Sequence, residues 1–467
     1  MQNRTHTDRF PIGWWHFRHS LSRHLSPERL FILSFAGVIL LGGLLLWLPF
    51  SAAKTPLPWI DALFQSASAV CVTGLTTINI GEDLGLAGQV ILVLLFQTGG
   101  LGILTFSAVF FVIMGRGLAS KEHEIMQSVF LYGPRRDLTS ILKFVFLSTF
   151  LYEGAGALLL WARFSLDFPW NEALYKAIFH SISAFNNCGF SLFSDSLVSY
   201  QGDLLINLTF MGLIVAGSIG FIVHYELHMR VFGKQRRLSA HTKVVLVATG
   251  VLIVGGAVLF FVFEHNRVLK DLPWQNRVLV SLFQAITPRT AGFNTVDIGM
   301  LANQTILLMI TLMFIGASPG STGGGIKTTS ASLLFLIMWS RLRGREEVNV
   351  FNRTIPRELL QRTISIILAA ALSICFIMSV LLLAADNNGT PAESRHFFVE
   401  YIFETTSAFA TVGLSMNLTP SLNTAQKLAT ILMMFAGRVG PLTLAFSLAR
   451  TSAKKSVTYA EEGVMVG

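Results

Sequence analysis

Charge is scarce in this chain. Asp, Glu, Lys and Arg make up 13% of its 467 residues, where a soluble domain carries about 25%, so it lacks the polar residues to cover a water-facing surface. Cysteine is scarcer still. Cys71, Cys188 and Cys375 all lie in apolar stretches, where they form neither a disulfide framework nor a metal site and read as small packing residues. The compositions of collagen, of disordered chains and of disulfide-stapled chains are absent too. What the chain has instead is 52% hydrophobic residues and a mean hydropathy of +0.60. It reads as an integral membrane protein. Its first apolar run, Leu30 to Leu48, exceeds the roughly 7–15 residues of a signal-peptide core and is followed by no small-residue cleavage site, so it reads as a span.

A helix crosses the hydrocarbon core with about 20 apolar residues. Eight such runs stand at about 30–48, 86–114, 139–162, 203–229, 244–263, 301–340, 359–385 and 425–449. Shorter apolar segments of about 12–15 residues separate the members of each pair and read as re-entrant. Basic residues give the orientation. Twenty-four Lys and Arg fall before the first span, after the second, fourth and sixth, and after the eighth, against seven in the opposite connections. By the positive-inside rule both termini are cytoplasmic.

The re-entrant segments resemble one another. They read Phe64-Gln-Ser-Ala-Ser-Ala-Val-Cys-Val-Thr-Gly74-Leu, Phe179-His-Ser-Ile-Ser-Ala-Phe-Asn-Asn-Cys-Gly189-Phe, Phe283-Gln-Ala-Ile-Thr-Pro-Arg-Thr-Ala-Gly292-Phe and Phe403-Glu-Thr-Thr-Ser-Ala-Phe-Ala-Thr-Val-Gly413-Leu. Their glycines are 115, 103 and 121 residues apart. The expected architecture is all-α, four pseudo-repeats of span, half-helix, glycine loop and span around one pore. Its limits are an N-terminal segment 1–29, repeats 30–116, 117–235, 236–345 and 346–452, and a tail 453–467. A half-helix ending inside a membrane leaves its last carbonyls without partners. Irregular backbone at that depth has to be buried or line a water-filled cavity. One Gly per loop permits a turn that aims successive carbonyls the same way, and four such loops would replace the hydration shell of a cation. Packing glycines explain one such loop well and four equivalent loops poorly.

These loops resemble the filter loops of the Trk/Ktr/HKT potassium transporter superfamily, most closely the bacterial Ktr membrane subunit with its eight spans. Thr290-Ala-Gly-Phe-Asn294 and the C-terminal Glu461-Glu-Gly-Val-Met-Val-Gly467 also look Ktr-like. The resemblance implies a single-chain potassium filter made of the carbonyls of Val72, Thr73, Gly74 and Leu75; of Asn187, Cys188, Gly189 and Phe190; of Thr290, Ala291, Gly292 and Phe293; and of Thr411, Val412, Gly413 and Leu414. It implies potassium (K+) as substrate, sodium (Na+) as an activator, and no covalently bound cofactor. A homodimer in the bacterial inner membrane, docked on a cytosolic ring of the RCK type that carries ATP or ADP, follows from the same likeness. A Trk-like or sodium-conducting relative is the alternative within transport.

The second long helix of each repeat carries a glycine-containing interruption 24 to 28 residues after the filter glycine: Gly99 to Gly102, Gly217 to Gly220, Gly316 to Gly320 and Gly437 to Gly440. The third is extreme. Gly316, Ser318, Pro319, Gly320, Gly323, Gly324 and Gly325, ending at Lys327, cannot stay helical, and by resemblance the segment 316–328 is an intramembrane gate loop. Lys327 can snorkel or bond that loop. Arg438 stands mid-helix, where a central Arg costs about 2.5–3.5 kcal/mol unless it finds a cavity or a partner; it is expected to bond loop carbonyls and raise the barrier to an ion leaving the filter, or else to be structural. Arg289 is expected to buttress the third loop, and Glu404 to support the fourth. Two enzyme-like matches are discounted. Ile326 interrupts the Gly-Lys of a phosphate loop. Gly316-Ala-Ser318-Pro-Gly320 fits the serine-hydrolase pattern, with His180, His224 and His228 as candidate bases, but an intramembrane hydrolase leaves the fourfold pattern unexplained.

Overall fold

A computed structural model of the chain describes residues 27–113, 138–233, 237–385 and 395–440. The expected N-terminal segment before residue 27, the residues after 440 and much of the basic loops lie outside them. The helices fall into four groups. The first is α1 (Pro27–Trp47), α2 (Trp59–Val70) and α3 (Leu86–Ile113). The second is α4 (Leu138–Phe164), α5 (Trp170–Phe185), α6 (Leu204–Ser218) and α7 (Phe221–Val231). The third is α8 (Ala240–Glu264), α9 (Trp274–Ile286), α10 (Asn303–Phe314) and α11 (Thr328–Leu342), followed by a hairpin of β1 (Asn349–Val350) and β2 (Arg353–Thr354). The last is α12 (Arg357–Leu383), α13 (Arg395–Ala410) and α14 (Thr424–Val439).

Three described helices are long and apolar enough to cross a membrane, Phe144–Phe164, Ala240–Glu264 and Arg357–Leu383; α6 and α7 make a fourth if taken together, although they meet at a bend of 100°. Their outward faces carry exposed Leu, Val and Phe, such as Leu147, Val251 and Phe376, as lipid contact requires. The short helices α2, α5 and α9 each begin with Trp after Pro, the proline fixing an extended turn just before the helix. Trp59, Trp170 and Trp274 are exposed, as interfacial tryptophans are. On the same side, where Lys427 pairs with Asp61 and Arg163 with Asp203, α6 is capped by the Asp203 side chain on Ile206 N–H, and α14 by an Asn423–Gln426 capping box.

The packing closes on itself. In each group the long outer helix packs on its half-helix, and α3, α6, α10 and α14 each pack on the half-helix of the next group, with α14 returning to α2. In the first, second and fourth groups a glycine sets the approach of the inner helix to its own half-helix. Gly99, Gly217 and Gly437 lie against the carbonyls of Val70, Phe185 and Phe409, so close that an added Cβ would collide with backbone.

Two of the expected helix interruptions are real: α6 stops at Ser218, and α10 stops at Phe314 with the helix resuming at Thr328. The first is not. Helix α3 runs unbroken through Gly99 to Gly102, because these glycines serve close packing rather than a break. In the fourth, α14 ends at Val439 with Gly440 at φ 93°, and the run expected to continue to 449 lies outside the described residues. Cys375 also departs from expectation: Cys71 and Cys188 are buried, but Cys375 is exposed on α12.

Gly437→Val should force α14 away from the Phe409 carbonyl, at an overpacking cost of about 1–3 kcal/mol. The expected result is a lower thermal unfolding midpoint in detergent. Gly37→Val is the control, since nothing lies within 4 Å of an added Cβ there, and should leave the midpoint unchanged.

Candidate functional site: a ring of four glycine loops

The half-helices end alike. After α2, Val72 takes φ 56°, its N–H donates to Ala69 O at 2.9 Å, and the next N–H, of Thr73, donates to Ser68 O at 2.8 Å. This is a Schellman closure with a non-glycine residue in the left-handed position. Asn187 and Thr411 repeat it, with Cys188 N–H on Ser183 O and Val412 N–H on Ser407 O, both at 2.9 Å. Most of the last carbonyls expected to lack partners are therefore satisfied within the turn or packed against the next helix. The third loop, one residue shorter, closes differently, with Ala291 N–H on Thr287 O at 2.9 Å and Thr290 at φ 73°. Left-handed Val and Thr are strained at about 1–3 kcal/mol each. Two residues beyond each strained position, Gly74, Gly189, Gly292 and Gly413 also take positive φ, between 73° and 91°.

The four glycines form a closed cycle. A Cβ on Gly74 would strike Cys188 O and lie 3.1 Å from Gly189 Cα; one on Gly189 would lie 2.8 Å from Ala291 O and 2.9 Å from Gly292 Cα. One on Gly292 would strike Val412 O and lie 3.3 Å from Gly413 Cα, and one on Gly413 would strike Thr73 O and lie 3.0 Å from Gly74 Cα. Each glycine thus faces the carbonyl that precedes the next glycine, around a ring that closes from the last loop onto the first. All of Val72 to Leu75, Cys188, Asn187, Thr290, Ala291, Phe293, Thr411, Val412 and Leu414 are buried or nearly so.

Two sets of side chains hold the loops, and of these only Glu404 was expected in that role. The hydroxyl four residues after each aligned Phe bonds the loop backbone: Gly74 N–H donates to Ser68 Oγ and Gly413 N–H to Ser407 Oγ, both at 3.1 Å, while Ser183 Oγ donates to Phe190 O at 2.8 Å and Thr287 Oγ to Phe293 O at 2.5 Å. The residue directly after each Phe is polar and reaches past the loop. Gln65 donates to Thr76 Oγ1, Gln284 donates to Thr295 Oγ1 at 3.3 Å, and Thr419 donates to Glu404 Oε1. His180 Nδ1–H donates to Lys176 O at 2.8 Å, which leaves Nε2 to accept from Leu192 N–H and Ser191 Oγ. Both positions were visible in the aligned segments as an invariant chemistry. Arg289, 1% exposed, reaches the next-door helix instead, donating Nη2 to Thr249 Oγ1 at 3.2 Å.

Below the ring lies the loop between α10 and α11. Its neck is closed by a bridge between Ile315 and Ile326 and by Thr328 N–H on Ala317 O at 3.1 Å. Gly323 and Gly324 lie against the side chains of Thr290 and Thr411, and Gly324 N–H donates to Thr411 Oγ1 at 3.0 Å. The loop is also docked on the bend between α6 and α7: Ser318 N–H donates to Ser218 O at 3.0 Å, Thr322 N–H to Gly217 O at 3.2 Å, and Phe221 N–H to Gly320 O at 2.8 Å. Lys327 bonds the loop rather than snorkelling, with Nζ 2.8 Å from Gly323 O. Arg438, 4% exposed, donates Nη1 to Thr322 O and Nη2 to Gly99 O at 2.5 Å. Ser318 Oγ is 2.8 Å from Thr328 Oγ1. Neither His180 nor His224 bonds Ser318, His224 pairing with Ala216 O and Tyr152, and the ring of His228 packs on Phe144 and Phe232. None of these three histidines is bonded to Ser318 among the described residues.

The cation transport protein family TrkH matches residues 14–457. The chain belongs to this family. It is 38% identical to the Ktr system potassium uptake protein B of Bacillus subtilis, over 95% of this chain and 97% of that protein. Identity to the protein of the same name from Vibrio alginolyticus is 37%, over 94% of each chain, and to the potassium/sodium uptake protein NtpJ of Enterococcus hirae 34%, over 95% and 98%. The crystal structure of the potassium transporter TrkH from Vibrio parahaemolyticus shares the fold, with a TM-score of 0.69 over 92% of this chain and 86% of that one at 21% identity. The likeness read from the filter loops thus holds, and the protein is a multi-pass membrane protein of a transporter family.

Ser407→Ala and Ser68→Ala each leave a buried glycine N–H without its acceptor, which should cost about 1–3 kcal/mol and lower the unfolding midpoint. Thr98→Ala, whose hydroxyl bonds only its own helix at Leu94 and Leu95, should change stability by no more than about 0.5 kcal/mol.

Proposed function

We propose that this protein takes up potassium across the bacterial inner membrane through a gated filter formed by one chain. The carrying observation is the cycle of four glycines, each facing a carbonyl of the next loop. Carbonyls gathered around an axis at membrane depth replace the water of a cation, and three half-helix C-termini pointing at the same place favour positive charge. On this reading the chain crosses the membrane eight times as four pseudo-repeats with both termini cytoplasmic. Potassium as the substrate is supported by the names of the two Ktr relatives, whereas NtpJ is named for potassium and sodium.

The loop 315–327 is the gate in this proposal, held shut below the ring by Arg438 and Lys327. A guanidinium on the ion's path repels it, and release requires Arg438 or the loop to move. Activation by sodium, assembly as a homodimer, and control by a cytosolic ring that binds ATP or ADP belong to the same proposal and rest on the Ktr resemblance.

Uptake of potassium, rubidium and sodium in a potassium-transport-deficient bacterium tests the filter. Wild type should restore potassium and rubidium uptake. Gly292→Ser, whose Cβ has no room beside Val412 O, should weaken uptake or lose the preference over sodium. A membrane-inserted wild type that moves none of the three ions, with a cytosolic partner supplied, would sink the pore.

The gate has its own test. Arg438→Ala should raise potassium flux at equal protein amount, because it removes both the charge and the tie to Thr322. Unchanged flux with poor accumulation in the membrane would make Arg438 structural.

A further inference from the structure

Behind the second loop lies a carboxylate that neither the ring nor the gate loop uses. Glu153, on α4, is 5% exposed. Among the described residues no Lys or Arg lies within ion-pair distance of it. Its partners are two carboxamides: Asn186 Nδ2 donates to Oε1 at 3.0 Å and Gln97 Nε2 to Oε2 at 3.3 Å. Asn186 Nδ2 also donates to Gln97 Oε1 at 2.6 Å and Ile182 O at 2.9 Å, so three acceptors share the two protons of one amide. Ser181 Oγ donates to the Glu153 carbonyl at 2.6 Å, and the half-helix α5 is therefore tied to α4 at two points.

The place of these residues matters more than their number. Asn186 caps α5 and directly precedes the left-handed Asn187, one residue before the Cys188 carbonyl that faces Gly74. Gln97 stands on α3 two residues before Gly99, whose carbonyl takes Arg438 Nη2. Gly100 packs directly on the Asn186 carboxamide. One carboxylate thus joins the end of the second half-helix to the stretch of α3 that bears on both the first loop and Arg438. Burying a carboxylate without a cation is costly. A neutral side chain of the same shape would fill this seam without that cost, but it would not present two acceptor oxygens to two amide donors.

We propose that Glu153 is a positioning residue for the filter and a determinant of its cation preference. Its carboxylate fixes the Asn186 carboxamide, which holds the turn at Asn187 and so the register of Cys188 O against Gly74. This rests on the pore reading given above.

The test is the potassium-to-sodium uptake ratio, measured at equal amounts of folded, membrane-inserted protein for wild type, E153Q, N186D and the double variant E153Q/N186D. Glu153→Gln sets an amide against two amide donors, and the ratio should fall about tenfold, the effect of one lost charge-assisted hydrogen bond. Asn186→Asp sets two carboxylates face to face and should lower it at least as much. In the double variant the carboxylate–carboxamide pair is re-formed with its roles exchanged, and the ratio should return to within about threefold of wild type, a coupling that independent sites do not show. Glu153→Asp keeps the charge, shortens the reach and is the arm of choice if E153Q fails to accumulate; an intermediate loss is expected. A wild-type ratio in E153Q or in Glu153→Asp, or a double variant no better than the singles, overturns the proposal. Either result leaves the pore standing, because the pore fails only if wild type itself moves no potassium.

Discussion

The contact between each loop glycine and the carbonyl of the following loop governs the architecture. Backbone can approach backbone this closely only where no Cβ intervenes, and the ring closes only if all four approaches are made at once. The requirement spreads outward from there. Loops that meet at an axis need half-helices that stop at a common depth. Stopping a helix inside the fold needs its end groups satisfied without water, and here that is done by left-handed turns at Val72, Asn187 and Thr411, two of them in residues, Val and Thr, that resist that conformation. The strain is tolerated because the turns are fixed from both sides, by hydroxyls within the half-helix and by the polar residue after each Phe.

The same constraint explains why glycine recurs on the inner helices. Gly99, Gly217 and Gly437 do not need unusual backbone angles, and Gly99 lies inside an unbroken helix. They are small because the carbonyl ends of the half-helices lie directly on them. A glycine in a membrane helix therefore reports either a break or a close approach, and sequence alone gives no way to tell the two apart. The third inner helix shows the difference: with Pro319 among five glycines between Gly316 and Gly325, the helix fails and the freed backbone finds new partners on the α6–α7 bend.

Much of this was legible in one dimension. The four glycines, the one-residue deletion in the third loop and the break after Phe314 all stood in the sequence, because each is a local requirement with a local composition. What stayed hidden was pairwise. Gln65, His180, Gln284 and Glu404 share a position but differ in side chain, so the alignment showed polarity without a partner. The partners, Thr76, Ser191, Thr295 and Thr419, become evident only when the loop is folded back. The bond from Phe221 to Gly320 and the Glu153–Asn186–Gln97 cluster join segments far apart in the chain, and no spacing rule encodes them. Arg438 lay between the two cases: its burial was legible from its setting, its acceptors on Thr322 and Gly99 were not.

Those acceptors bear on how a gate could work in this fold. Arg438 is held by backbone carbonyls and pairs with no carboxylate among the described residues, so this part of the structure leaves its charge available to repel a cation. At an effective dielectric of about 20, two unit charges about 4 Å apart interact by about 4 kcal/mol, roughly a thousandfold in passage rate. The loop beneath it is held by three backbone bonds to the α6–α7 bend, one from Gly324 to Thr411 and one from Arg438 to Thr322. At about 1 kcal/mol net for each, the loop is docked by no more than several kcal/mol. A loop bound that weakly is displaced more easily than the ring above it, which is built on buried turns and interlocked carbonyls. The contrast between a ring fixed within its own turns and a loop docked on its neighbours thus follows from where the backbone is paired with its own turn and where it is paired with a neighbour.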